Sequence, residues 1–141
     1  MKYATRILAV VMMMTPLLAS AQLSSSQSLK ANVPFRFRVG NTVIPAGKCI
    51  VQRAGLDPRT LIIMNSGAKA SSFLTSSMSQ VGRASTKNAL VFHRYGERYF
   101  LAGVKLEGST TLYQIPEGKA EAELRAQNST GQEETLLALL Q

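Results

Sequence analysis

The chain has few of the residue types that most often act in catalysis, bind metals or form disulfides. It contains one cysteine, one histidine, one aspartate and no tryptophan in 141 residues. A metal centre normally takes three or four ligands at a recognisable spacing, and no H-x-H or H-E-x-x-H pattern is present. The sequence also has no G-x-S-x-G, P-loop or C-x-x-C motif. We therefore predict no catalytic residue set, no metal site and no cofactor.

A single cysteine excludes an intramolecular disulfide. Cys49 lies in "KCIVQ", a predicted strand, where a buried free thiol acting as a small hydrophobe is the ordinary interpretation. Pairing between molecules, or a reactive thiol, would require exposure and a basic neighbour that lowers the thiol pKa. Both alternatives stay open at this stage, with burial preferred.

No apolar stretch is long enough to span a bilayer. The longest, residues 7–18, is shorter than the roughly 20 residues that a spanning helix needs. It follows Lys2 and Arg6 and precedes the pattern A-x-A at Ala19 and Ala21. These features are typical of a secretory signal peptide, which predicts cleavage after Ala21 and a periplasmic or secreted protein.

The predicted mature chain is basic. We expect a signal peptide over residues 1–21, a flexible segment over 22–28, and one β-rich domain over 29–141 without a transmembrane span. Loss of Lys2 and Arg6 lowers the net charge from +8 to +6. A basic surface favours anionic partners, which outside the inner membrane are acidic polysaccharides and lipid head groups. A protein partner is the other expectation, and nucleic acid is not expected because it is scarce there.

Alternation of apolar and polar residues predicts strands. In "ANVPFRFRVGN" the apolar residues recur at every second position, which predicts one strand with a buried face and with Arg36 and Arg38 in water. Pro34 cannot donate a ladder hydrogen bond, so this strand should lie at a sheet edge or begin at Pro34. "KCIVQRA" and "TLIIMN" are further strands.

The stretch "LVFHRYGERYFLAGV", residues 90–104, predicts a β-hairpin. Gly96 and Glu97 suit the tip, because a type II′ turn takes glycine at its first central position. This register places His93 opposite Phe100 and alternates the side chains between two faces. Neither face is wholly polar, so the hairpin should be central in its sheet.

Near the C-terminus the pattern of apolar residues changes from the period of a strand to that of a helix. "PEGKAEAELRAQN" predicts one short surface helix, with Pro116 at its first position, Asn128 as its stop and a Glu121–Arg125 pair. The terminal "TLLALL" is assigned to a closing strand. The fold class is therefore mainly β: a single antiparallel β-sandwich or small β-barrel of about seven or eight strands with one short C-terminal-region helix.

The candidate binding residues are basic and aromatic. An arginine fork donates hydrogen bonds to an anion and a tyrosine ring stacks on a sugar, so the candidate site consists of Arg36, Arg38, Arg94, Arg98 and Tyr95. The preferred interpretation is structural, with Tyr95 and Arg98 exposed at the hairpin and Arg94 packed against Tyr99 across the strands. We predict an exported non-enzymatic module that binds an anionic envelope component or a protein partner through a basic face.

A small extracytoplasmic hydrolase that uses His93 is the alternative function. A general base needs a partner that orients it, and no neighbouring residue in the sequence supplies one. Packing of His93 against Phe100 across the hairpin is the preferred interpretation.

Two motifs carry a resemblance to a known family. "VPFRFRVGNTVIPAGK" and "FHRYGERYFL" resemble a family of small exported bacterial proteins, abundant in Acidobacteria, without an assigned function. The resemblance covers roughly residues 31–127 and implies export and a β-rich fold. It brings no functional residue. Cys49 stands where the family leads us to expect an aromatic residue.

Overall fold

The computed structural model describes residues 28–127 and the strand Gln132–Leu137. The predicted signal peptide and almost all of the predicted flexible segment lie outside these residues. No helix in the described ranges is long and apolar enough to cross a membrane.

The described residues form eleven strands and one helix. In chain order these are β1 (Ser28–Val33), β2 (Phe37–Val39), β3 (Thr42–Ile44), β4 (Gly47–Arg53), β5 (Thr60–Asn65), β6 (Ala70–Thr75), β7 (Ser77–Gln80), β8 (Ala89–Tyr95), β9 (Arg98–Lys105), β10 (Thr111–Gln114), α1 (Lys119–Ala126) and β11 (Gln132–Leu137). The prediction of seven or eight strands was too low, because several short strands of three or four residues carry little periodicity.

The strands form two sheets. The first is antiparallel in the order β1-β4-β5-β6; the second has the order β11-β8-β9-β10-β7 and includes β2 and β3. β2 pairs antiparallel with β3 and parallel with the first half of β9, whose second half pairs with β10. Two open sheets correspond to the predicted sandwich and not to the barrel alternative, and the mainly β class is confirmed.

One hydrophobic core lies between the two sheets. Leu29, Val33 and Ile63 from the first sheet join Phe37 and Phe92 from the second in a single buried cluster. Aromatic rings meet at the centre: Phe92 makes edge contacts with Phe37 at 5.2 Å and with Phe35 at 5.1 Å between ring centroids. Such T-shaped pairs add to the stability that apolar burial provides.

Cys49 is buried in this core. Its side chain has 0% exposure, and the prediction of a buried free thiol is confirmed. Burial disfavours the charged thiolate and raises the pKa of the Cys49 thiol to about 11. The residue therefore acts as a small hydrophobe.

The predicted single strand from Val33 to Val39 is wrong, although its buried face is right. Val33 ends β1 in the first sheet and Phe37 begins β2 in the second, so the chain changes sheets at Pro34–Arg36. Proline has no N–H for the ladder, which explains why pairing stops there. β1 does lie at an edge, as predicted.

The hairpin prediction is confirmed. β8 and β9 pair with Tyr95 opposite Arg98 and His93 opposite Phe100, in the middle of the second sheet. Gly96 has φ +63° and Glu97 does not have a positive φ, as a type II′ turn requires. A bulge between Val91 and Phe92 lies further along the pair.

The helix begins later than predicted. Gly118 is the N-cap and α1 starts at Lys119, so Pro116 precedes the helix. The predicted Glu121–Arg125 pair is wrong: Arg125 Nη2 lies 2.8 Å from Glu117 Oε2, and Glu121 is buried against the sheet. The predicted stop, Asn128, lies outside the described residues.

Close backbone contact fixes the start of α1. A Cβ atom built on Gly118 would lie 2.7 Å from the carbonyl oxygen of Gly40, which is in the β2–β3 turn. Real Cβ atoms do not approach backbone so closely, so only glycine allows the helix to dock here.

Replacing Gly118 with alanine should destabilise the fold. We expect Gly118→Ala to lower the free energy of unfolding in urea by about 1–3 kcal/mol, the usual cost of overpacking. Gly82→Ala is the matched control, because its Cβ would meet nothing within 4 Å and its φ is not positive. Equal stability of the two variants would contradict the docking contact.

Candidate functional site

The candidate site lies on the side of the second sheet that carries α1, which we call the outer face. On β8 and β9 this face includes Val91, His93, Tyr95, Arg98 and Phe100, while Leu90 and Phe92 face the core. The predicted assignment of alternate hairpin residues to the two faces of the sheet is therefore confirmed. A helix packed on the sheet was predicted, but the sequence did not show that it covers part of this outer face.

A buried carboxylate from α1 contacts the only histidine. His93 Nδ1 lies 2.6 Å from Glu121 Oε1, and the two side chains are 41% and 6% exposed. An ionised carboxylate can only accept, so His93 Nδ1 is the donor in this contact. This contact corrects the prediction that no partner orients His93. The predicted position of His93 opposite Phe100 is confirmed.

Tyr95 completes the buried cluster and is not exposed as expected. Its ring packs edge-on against Phe100 at 5.8 Å, and its hydroxyl donates to Glu121 Oε1 at 3.5 Å. Burial raises the pKa of Tyr95, and the negative charges of Glu121 and Glu117 raise this pKa further. A buried ring under a helix has no free face for a sugar.

Three of the four predicted arginines lie together. Arg38 is next to Phe100 in the parallel β2–β9 register, and Arg98 is two residues earlier on the same face. Strand geometry places their Cα atoms roughly 8 Å apart. Arg36 precedes β2 at the same end of the pair and is exposed. We call Arg36, Arg38 and Arg98 the arginine end.

The fourth arginine belongs to the other side of the sheet. Arg94 is opposite Tyr99, its guanidinium carbon lies 5.5 Å from that ring centroid, and its Nε donates to the Gly96 carbonyl at 2.7 Å. These contacts stabilise the hairpin tip. The structure therefore does not bring Arg94 into the arginine end.

An open depression of about 290 Å³ lies further along the outer face. We call it the outer depression, and its lining is Ser77, Val91, His93, Ala102, Gly103, Lys105, Leu112, Gln114 and Ile115. Its polar groups come from four different strands, so no local motif in the sequence could have indicated it. Its volume is close to the lower limit of ligand pockets, roughly 300 Å³.

The lining does not assemble a serine nucleophile with its base. Val91, Gly103, Gln114 and Ser77 form one row across β8, β9, β10 and β7. Three strand spacings place Ser77 roughly 14 Å from β8, far beyond the reach of a proton transfer to His93. Among residues 28–127, no group of three or more His, Cys, Asp or Glu side chains could hold a metal ion.

Comparison of the chain with protein-family models, with curated proteins and with solved structures gave no match. The resemblance to the exported family thus stays an expectation.

The buried Tyr95 hydroxyl makes stability sensitive to alkaline pH. Its pKa is higher in the folded protein, so its stabilising contribution is complete below the ordinary value of about 10 and is lost as pH rises through the folded value. We expect Tyr95→Phe to lose less stability than wild type across that alkaline range, measured by urea unfolding at each pH. Tyr99→Phe controls for the loss of a phenol away from Glu121. Parallel curves for Tyr95→Phe and wild type would contradict this interpretation.

Proposed function

We propose that this chain is an exported, non-enzymatic module that binds an anionic envelope component through the arginine end. The observation that carries the proposal is the convergence of Arg36, Arg38 and Arg98 from two separate segments at one end of the β2–β9 pair. The leader-like pattern of residues 1–21 supports export, and the net charge agrees with an anionic partner.

The electrostatics of the arginine end support this role. No carboxylate in the described part of the chain forms an ion pair with Arg36, Arg38 or Arg98, whereas Arg125 is paired with Glu117. An unpaired guanidinium keeps all its donors for a ligand carboxylate or phosphate. Exposed charges are screened by salt, so binding of this kind should weaken as ionic strength rises.

Removal of two arginines should weaken polyanion binding. We expect Arg38→Gln/Arg98→Gln to bind polygalacturonate, or vesicles with anionic head groups, at least about tenfold more weakly at low salt, since each surface cation contributes on the order of 1 kcal/mol. The measurement is a binding titration at low and high salt. Whichever of the two probes binds identifies the source of the anion.

The control keeps the same net charge. Arg53→Gln/Arg83→Gln removes two exposed arginines outside the arginine end and should bind almost as wild type does. Equal losses in both double variants would show that only net charge matters. Binding that does not respond to salt would contradict the proposal outright.

One observation favours a second candidate, a small hydrolase that uses His93. The Glu121 carboxylate orients the imidazole, as the partner of a general base does. Because Ser77 is too distant, His93 would deprotonate a water molecule. In that case His93→Ala should slow the hydrolysis of nitrophenyl acetate by at least about a hundredfold. A wild-type rate equal to that of His93→Ala would eliminate this candidate.

A further inference from the structure

The outer depression presents hydrogen-bonding groups whose partners are not in the described part of the protein. Ser77 Oγ donates to Gln114 Oε1 at 3.3 Å, which leaves the Gln114 amide nitrogen as a donor without an acceptor among the described residues. Lys105 forms no ion pair with those residues either. Two donors, one of them charged, therefore face solvent at one side of the depression.

His93 supplies the opposite type of group. In the neutral form of the imidazole, donation of the Nδ1 proton to the buried Glu121 carboxylate leaves the other ring nitrogen, Nε2, as an acceptor. The contact also fixes the orientation of the ring, as a carboxylate does for a histidine in a binding site. His93 lines the depression, so an oriented acceptor stands at its other side.

The spacing of these groups suggests the shape of a ligand. Lys105 pairs with Leu112 and Gly103 with Gln114, which places the Lys105 and Gln114 Cα atoms roughly 8 Å apart. Their long side chains can converge on one anion. His93 lies two strands from Gln114, roughly 12 Å away between Cα atoms.

The surface between these groups is small and aliphatic. Val91, Ala102, Gly103 and Leu112 line it, and a Cβ atom on Gly103 would lie 3.0 Å from Leu112 Cδ1. The depression thus combines an apolar floor with polar groups at its sides. A sugar ring matches this pattern, because it has apolar C–H faces and hydroxyl groups around its edge.

We propose that the outer depression binds a carboxylated saccharide. A ligand hydroxyl donates to His93 Nε2, and a ligand carboxylate accepts from Lys105 Nζ and the Gln114 amide. This inference rests on the proposed function and narrows the anionic component to a polysaccharide that contains uronic acid. The arginine end and the outer depression are then two contact regions on one side of the sheet.

The test uses the purified protein, a short ligand and a form of that ligand without charge. Trigalacturonate and its fully methyl-esterified form are titrated at low salt, with binding followed through backbone amide NMR shifts. We expect trigalacturonate to shift the amides of Val91, Gly103 and Gln114, and the ester to bind more weakly. Inorganic phosphate should produce no shift in these amides.

Two substitutions separate the two contacts. Lys105→Met should weaken trigalacturonate binding at least about tenfold, the effect of losing a charge-assisted hydrogen bond, while the ester is unaffected. His93→Ala should weaken both ligands, because the hydroxyl contact is common to them. Lys87→Met removes an exposed lysine outside the depression and should change neither.

The outcomes distinguish this inference from the proposed function. Equal weakening by Lys105→Met and Lys87→Met, or shifts confined to other surfaces, would overturn the saccharide site even if polyanions still bind through the arginine end. Phosphate binding in the depression would overturn it as well. If the wild-type protein showed no salt-sensitive binding of polyanions, the proposed function itself would be refuted. Because Lys105 is only partly buried, its variant stays informative if His93→Ala fails to fold.

Discussion

The carboxylate of Glu121 is almost completely removed from water, with 6% of its side chain exposed. A buried carboxylate is costly unless charged or hydrogen-bonding partners compensate for the lost hydration. His93 and Tyr95 provide these partners from β8, and both reach the same oxygen. This cluster ties α1 to the second sheet and determines which part of the outer face is covered. The arginine end and the outer depression are the parts where we infer binding.

Local features of the sequence predicted local structure well. The β8–β9 hairpin depends on Gly96 and on alternation within fifteen residues, so its register, faces and central position all followed from the sequence. The break at Pro34 was only partly visible. The alternation of apolar and polar residues from Val33 to Val39 continues through the break, because in both sheets the odd-numbered residues of this stretch face the one shared core. Periodicity alone cannot reveal a change of sheet.

The candidate site was less predictable because its residues are far apart in the sequence. Arg38 and Arg98 meet through a parallel pairing of β2 with β9, and no composition or turn signal specifies that pairing. Glu121 was assigned to a surface ion pair with Arg125 because the two are four residues apart on a helix. The structure buries Glu121 instead, since the Gly118–Gly40 contact docks the start of the helix on the sheet. Of the four predicted arginines, the structure brings three close together and places Arg94 on the other side of the sheet.

The distribution of polar groups favours binding over catalysis. A catalytic centre requires a base within about 3 Å of the nucleophile, and anion-stabilising donors within about 3 Å of the reacting atom. Here the imidazole, the ammonium and the hydroxyl lie on three different strands, one to three positions apart in the sheet, with aliphatic side chains between them. Such a spread of groups can touch an extended ligand at several points at once. The Glu121–His93 hydrogen bond fits a binding role equally well. An oriented imidazole nitrogen can accept a hydrogen bond from a ligand hydroxyl as readily as it can remove a proton.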